Sequence, residues 1–253
     1  ITSAGILLAA VFAVLGVPLQ KILNLNETQT MILAATPVLS GSLIRVPLGI
    51  WTDKYGGRIV FFCLMIATVI PIFLMSYATQ YWHFLVIGLF VGLAGGSFSV
   101  GTPYVARWFE RDQQGMAMGI FGAGNAGSSL TKLIAPAIIA WAGWQMVPTV
   151  YAAIMLATAV LFWFFSYSDP KHLVPSNVTL ASQLKLMKDP AVLRYCQLYS
   201  VVFGGYVALA LWMVKYYVNE YGFSLATAGF LAMCFSLPGG VLRAFGGYLS
   251  DKF

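Results

Sequence analysis

The stretch that decides the fold is SGSLIRVPLGIWTDKYGGR (Ser40–Arg58), because a second copy, PGGVLRAFGGYLSDKF (Pro238–Phe253), appears near the other end of the chain. Aligned on their arginines, the copies share five positions at constant spacing: Gly41/Gly239, Arg45/Arg243, Gly49/Gly247, Asp53/Asp251 and Lys54/Lys252. Each arginine lies inside a long apolar stretch, where a charge is costly. A repeat that keeps this cation predicts two related halves, each presenting positive charge to one shared site.

The composition around these motifs is that of a membrane protein. Of the 253 residues, 60% are hydrophobic and only 9% are charged, whereas about a quarter are charged in soluble domains. The apolar residues form eight blocks of roughly 17 to 27 residues, each long enough to cross a bilayer. The blocks run over 4–20, 29–51, 59–79, 82–107, 115–141, 146–167, 192–217 and 225–249. We therefore predict an all-α transmembrane fold in a lipid bilayer.

The basic charge of the chain follows the predicted topology. If the eight spans alternate, the connectors on one side hold nine cations and those on the other side hold two, Lys21 and Lys215. The nine are Lys54, Arg58, Arg107, Arg111, Lys171, Lys185, Lys188, Arg194 and Lys252. By the positive-inside rule the N-terminus is cytoplasmic, in a multi-pass protein of the cell inner membrane. The excess charge is explained without nucleic acid.

The longest connector divides the chain. We predict an N-terminal six-helix bundle over 1–168, a cytoplasmic linker over 169–192 that is polar and contains three prolines, and two helices of a C-terminal bundle over 193–253. The second span matches the eighth, so the repeated unit is six helices. We therefore expect these eight spans to be a fragment of a twelve-span protein.

Three cations lie within the spans: Arg45, Lys132 and Arg243. None of the eight acidic residues lies in the middle of a span, although buried cations in membranes normally pair with carboxylates. An anion in a central cavity is the natural partner of the arginines. For Lys132 two interpretations stay open: it faces the cavity with Asn125, or its ammonium extends to the external interface.

The loop after the second span carries a recognisable motif. Its residues Gly49, Asp53, Lys54, Gly57 and Arg58, with Gly247 and Asp251 in the shorter copy, resemble the signature loop of the major facilitator superfamily. That resemblance implies a twelve-helix transporter that works by alternating access, with these residues governing the conformational change. Gly56 and Gly57 suit a tight reversal of the chain.

A second resemblance is more specific. The sequence GAGNAG (122–127) is similar to the nitrate signature of the nitrate/nitrite porter family within that superfamily. The resemblance implies that Arg45 and Arg243 bind the substrate and that Asn125 adds a polar contact. It also implies aromatic contacts from Tyr199 and Phe203 on the seventh span and from Phe98 on the fourth.

These observations predict a secondary transporter for nitrate or nitrite. The alternatives are a carrier of another small anion, a carboxylate or a phosphate ester, and a non-transporting nitrate sensor on the same scaffold. Proton symport and nitrate/nitrite exchange both stay open as energy sources, and a monomer is expected. The cysteines lack metal-ligand spacing and no nucleophile–base set is present, so we expect neither a metal, a cofactor nor an enzyme.

Overall fold

Eight helical runs follow one another in the computed structural model, which describes residues 14–168, 185 and 188–252. We number them α1 to α8 in chain order. They are α1 (14–22), α2 (Glu27–Tyr55), α3 (Gly57–Met75), α4 (Tyr81–Ala106), α5 (114–142), α6 (Met146–Phe165), α7 (Pro190–Tyr221) and α8 (Leu225–Lys252). Apart from the start of the first run, which lies outside the described residues, the apolar blocks predicted the ends of these runs to within a few residues.

Six of the described helices are long and apolar enough to cross a membrane: α2, α3, α4, α6, α7 and α8. The run α5 is not among them, because its glycine, serine and threonine residues, together with Asn125 and Lys132, lower its mean hydropathy. The start of the first predicted span and most of the predicted linker over 169–192 lie outside the described residues.

Four of the helices are interrupted near their middle. The run α2 consists of Glu27–Leu43 and Arg45–Tyr55, joined at Ile44. Turns of 3₁₀-helix at Leu93–Gly96 and Ala123–Asn125 interrupt α4 and α5, and a π-helical turn at Ser200–Gly204 interrupts α7. Such irregular turns change the direction in which the following side chains point and are frequent at functional sites.

Helices α2, α3, α4 and α6 of the first half pack around one core, with α3 antiparallel to α2 and α4 parallel to α2. Helix α4 lies against α2 and α3, and α3 lies against α6, around a core that contains Phe61, Phe84 and Met155. The connection from α2 to α3 is a single residue, Gly56, whose φ of 86° is in the region that favours glycine. We call the end of the bundle that carries Gly56 the motif end, and the end that carries Glu27 the opposite end.

The second half joins the first along α5 and α8, which run antiparallel. Glycines allow the two backbones to approach closely, as in other tightly packed membrane helices. A Cβ atom at Gly119 would lie 2.5 Å from the carbonyl oxygen of Arg243, and one at Gly240 would lie 2.8 Å from the amide nitrogen of Ala126. The α5–α8 seam therefore requires small residues on both helices.

Candidate functional site

The two repeat arginines converge on one aromatic ring. Arg45 on α2 and Arg243 on α8 place their guanidinium carbons 5.9 and 5.4 Å from the ring centroid of Phe203 on α7. The two guanidinium groups therefore lie no farther apart than the sum of those distances, and both side chains are half-buried. Helices α2, α7 and α8, from the two ends of the chain, therefore meet at this ring.

Asn125 contacts one of these arginines. Its side chain is 1% exposed and lies at the end of the 3₁₀ turn in α5. With the amide oriented to satisfy both groups, Oδ1 accepts from Nη2 of Arg243 at 3.2 Å and also from Nη1. Beside it, a Cβ atom at Gly122 would lie 3.1 Å from Cδ of Arg243. The signature sequence in α5 thus both binds this guanidinium and makes room for its side chain.

The other central arginine, Arg45, has a hydrogen-bond donor that is not satisfied. Its Nε is buried and has no hydrogen-bond partner. Among the residues that the structure describes, neither central arginine pairs with a carboxylate, whereas Arg107 pairs with Asp53 and Lys215 pairs with Glu27. Two cations that contact the same ring and pair with no described carboxylate form a site of positive potential, which suits an anion.

Aromatic side chains of α7 form one wall of the site. Tyr199, Phe203 and Tyr206 stack in sequence, with centroid distances of 5.1 and 6.5 Å, and Tyr206 continues onto Phe235 of α8. The guanidinium carbon of Arg243 also lies 6.0 Å from the Tyr206 ring. Phe203 lies within the π-helical turn, which therefore decides where this wall faces.

Phe98 occupies a different position from the other aromatic candidates. It packs edge-to-face on Phe121 of α5 at 5.2 Å, and within the described part of the chain neither central guanidinium lies over its ring.

Lys132 is fully buried, and its Nζ donates to Oγ of Ser236 on α8 at 3.0 Å. The structure thus places Lys132 inside the α5–α8 seam, so its ammonium does not extend to the external interface.

The loop motif of the first copy binds within its own half. Asp53 accepts from Nη2 of Arg107 at 2.7 Å, and Nζ of Lys54 lies 5.2 Å from the ring of Tyr55. Nη2 of Arg58 donates to the carbonyl of Trp163 at 2.6 Å. Gly57 is the first residue of α3, and a Cβ there would collide with the ring of Tyr104. The reversal itself needs only Gly56.

The loop motif of the second copy binds across the halves. Both carboxylate oxygens of Asp251 accept from backbone amides at the start of α5, those of Gly115 and Met116, at 2.7 and 2.6 Å. Gly247 lies against the backbone of Gly115 and Gly119. In contrast, no described atom of another helix lies within 4 Å of where a Cβ of Gly49 would stand.

A cavity of about 670 Å³ at the motif end is separate from the arginine site. It is lined mainly by apolar residues of α4, α5 and α8, and the two central arginines and Asn125 do not line it. No group of histidine, cysteine, aspartate or glutamate residues in the described ranges could hold a metal ion.

Sequence reasoning missed two residues of this region, Tyr206 and Ser236. Tyr206 follows Phe203 by one helical turn, and that spacing could have indicated it. The hydroxyl of Tyr206 donates to the carbonyl of Ser236 at 3.0 Å. Nothing in the sequence distinguishes Ser236 from other serines of the apolar blocks.

Comparison with known proteins places the chain in a family. A family model described as the Major Facilitator Superfamily matches residues 1–253. The "Probable nitrate/nitrite antiporter NarK1" of Thermus thermophilus is 41% identical over 96% of this chain and 57% of its own length. The "Probable nitrate transporter NarT" of Staphylococcus haemolyticus is 36% identical over 91% and 59%, and the "Nitrite extrusion protein" of Bacillus subtilis is 30% identical over 91% and 58%.

The chain thus spans less than two thirds of the length of these relatives. A solved structure, described as a bacterial homolog to the human lysosomal transporter Spinster in an inward-facing and unoccupied conformation, matches with a TM-score of 0.72. It is 17% identical and covers 100% of this chain and 60% of that chain, which shows the fold alone. The resemblance to nitrate/nitrite porters is confirmed by the relatives, and the all-α membrane fold by the family model: this multi-pass membrane protein belongs to the Major Facilitator Superfamily.

Proposed function

We propose that the protein is a carrier that moves nitrate or nitrite across the cell inner membrane by alternating access, with its N-terminus and motif end in the cytoplasm. One observation carries this proposal: half-buried arginines from the two repeated motifs converge on Phe203, and no described carboxylate neutralises them. The names of the relatives support nitrate or nitrite as the substrate.

The geometry suits a small planar oxyanion. A guanidinium is planar and presents a fork of N–H donors, so two of them can hold the edges of one nitrate ion. The free Nε of Arg45 is one such donor. Because Asn125 accepts from Arg243, it fixes the direction of that fork. The stacked rings of α7 present apolar surface on one side of the site, and a lower local dielectric strengthens the charge interactions.

The position of the two arginines supports alternating access. One belongs to each half, so an anion held between them draws the halves together, because it reduces the repulsion between the two guanidinium groups. An empty site lacks that attraction. The anion thereby favours the state in which the halves close around it.

The decisive experiment replaces each central arginine with lysine in the full-length protein, reconstituted in liposomes. Lysine keeps the charge but loses the planar fork, so Arg45→Lys and Arg243→Lys should each slow uptake of labelled nitrate about 10- to 100-fold, the range expected for a lost charged hydrogen bond. Arg194→Lys, at an exposed arginine on α7, is the control and should transport normally. Normal uptake by both central variants would refute the proposed site.

Two further arms of this experiment address substrate and energy source. Competition with formate, oxalate and phosphate separates nitrate from carboxylates and phosphate esters, since a guanidinium fork also fits those anions. Stimulation by nitrite on the opposite side of the membrane indicates exchange, whereas collapse with a protonophore indicates proton symport. Saturable binding of nitrate without any flux would favour a sensor instead.

A further inference from the structure

Lys132 is a buried cation on α5 that forms a hydrogen bond within the α5–α8 seam. Its side chain is 0% exposed, and Nζ donates to Oγ of Ser236 at 3.0 Å. Oγ of Ser129 donates to the same oxygen at 2.8 Å, and Ser236 in turn donates to the carbonyl of Ala232 at 3.0 Å. The hydroxyl of Ser236 therefore accepts twice and donates once, which leaves no place for an anion on it.

This contact lies in register with the one that holds Arg243. On α5, Lys132 follows Asn125 by seven residues, and on α8, Ser236 precedes Arg243 by seven. Since the helices are antiparallel, Asn125–Arg243 and Lys132–Ser236 are two hydrogen-bonded pairs along the same α5–α8 seam, about 10 Å apart. A translation of α8 along α5 that changes one of these pairs therefore also changes the other.

Ser236 also connects the Lys132–Ser236 pair to the aromatic wall. Its carbonyl accepts from the hydroxyl of Tyr206 at 3.0 Å, and the Tyr206 ring stacks on Phe203 and faces Arg243. One serine thus joins α5, α7 and α8, the three helices that bear Asn125, Phe203 and Arg243. Displacement of Ser236 would therefore disturb both the arginine and the ring that it faces.

An apolar side chain would fill the same space without the cost of a charge, which is a few kcal/mol in a membrane helix. Methionine, for example, has a similar length but no donor. The ammonium differs by holding α8 in a single register on α5, because only one position of Ser236 lies within hydrogen-bond reach.

We propose that Lys132 is a positioning residue: together with Ser236 it sets the register of α8 on α5, and so the position of Arg243 against Asn125 and Phe203, without touching the anion. This inference rests on the proposed function for its transport readout. The rival role, direct contact between Lys132 and the anion, makes different predictions for Ser236.

The transport test compares Lys132→Met, Ser236→Ala and the double variant in the full-length protein. A positioning role predicts that each single variant raises the nitrate KM about tenfold with little change in maximal rate. The double variant should be no worse than either single one, because both remove the same contact. Ser236→Thr, which keeps the hydroxyl, should restore the KM, and Ser250→Ala, at an exposed serine on α8, should change nothing.

A second readout does not depend on nitrate. Met116 on α5 and Tyr248 on α8 line the cavity at the motif end, so a Met116→Cys/Tyr248→Cys pair can report the register through its rate of reaction with a short bismaleimide. The exposed native cysteines Cys63, Cys196 and Cys234 are first replaced with alanine. Ser236→Ala should slow the cross-linking several-fold.

The outcomes separate the hypotheses. If Ser236→Ala leaves both the KM and the cross-linking rate unchanged, the positioning role is wrong. If only Lys132→Met raises the KM, Lys132 contacts the anion directly. If the wild-type protein does not transport nitrate and Ser236→Ala still slows cross-linking, the proposed function fails while the register role survives.

Discussion

In the second copy of the repeat, Gly247 packs against the backbone of α5 and Asp251 accepts from two of its amides. In the first copy, a Cβ at Gly49 would meet no described atom of another helix within 4 Å, and Asp53 pairs with Arg107. The same residue types at the same spacing therefore make different contacts. One copy forms a contact between the halves, and the other forms an ion pair inside its own half.

The difference shows that the same motif can form either kind of contact, and that the neighbouring helix determines which one it forms. A glycine followed one turn later by an aspartate fits the start of a helix, because the glycine permits close approach and the carboxylate meets free N–H groups and the positive end of the helix dipole. The second copy faces such a helix start at Gly115. The first copy faces the guanidinium of Arg107.

The largest expected difference between the copies is steric. A Cβ at Gly247 would lie 3.1 Å from Cα of Gly119 and closer still to the carbonyl of Gly115. Gly247→Ala should therefore destabilise the protein by about 1–3 kcal/mol through overpacking, and Gly49→Ala should be tolerated. Thermal unfolding of the two variants in detergent measures this, and equal midpoints would show that the close approach is not needed.

A smaller effect is expected from the loss of the helix cap. Asp251→Ala removes the acceptor for two amides at the start of α5 and should cost about 0.5–2 kcal/mol, as for other N-terminal caps. Because the contact joins the halves, the cross-linking rate at the motif end should also change. A variant with wild-type stability and an unchanged rate would mean that water replaces the carboxylate without cost.

The smallest effect is expected from the matching residue of the first copy. The Asp53–Arg107 pair is partly exposed, with side-chain exposures of 34% and 26%, so Asp53→Ala should cost about 0–1 kcal/mol. High salt should reduce the difference from wild type, since it screens partly exposed charges. A larger loss for Asp53→Ala than for Asp251→Ala would reverse the comparison.

The sequence predicted the helices and the principal charged residues but not all of their neighbours. Apolar blocks locate helices because a span must be long and uncharged, and the repeat located Arg45 and Arg243 because each copy shows the same costly residue. The direction of a side chain around a helix is harder to predict. The π-helical turn in α7, which contains Phe203, and the 3₁₀ turn in α4, which precedes Phe98, both shift that direction.

Contacts between distant helices were the least predictable part. Lys132 had two open interpretations because its partner, Ser236, is one hydroxyl among several in the apolar blocks. Tyr206 was overlooked although it stacks on Phe203. Both depend on how α7 and α8 pack against α5, which local periodicity does not contain.

The contact of Asp251 with α5 also bears on how such proteins change over evolutionary time. Its partners are two backbone amides, which almost every amino acid supplies, so the identity of the residue at position 116 can drift while the contact persists. The constrained residues are Asp251 and Gly115, where a Cβ would collide with the aspartate carboxylate, and neither of them can vary. Searches for pairs of positions that change together would therefore overlook a link that joins the two halves of the molecule.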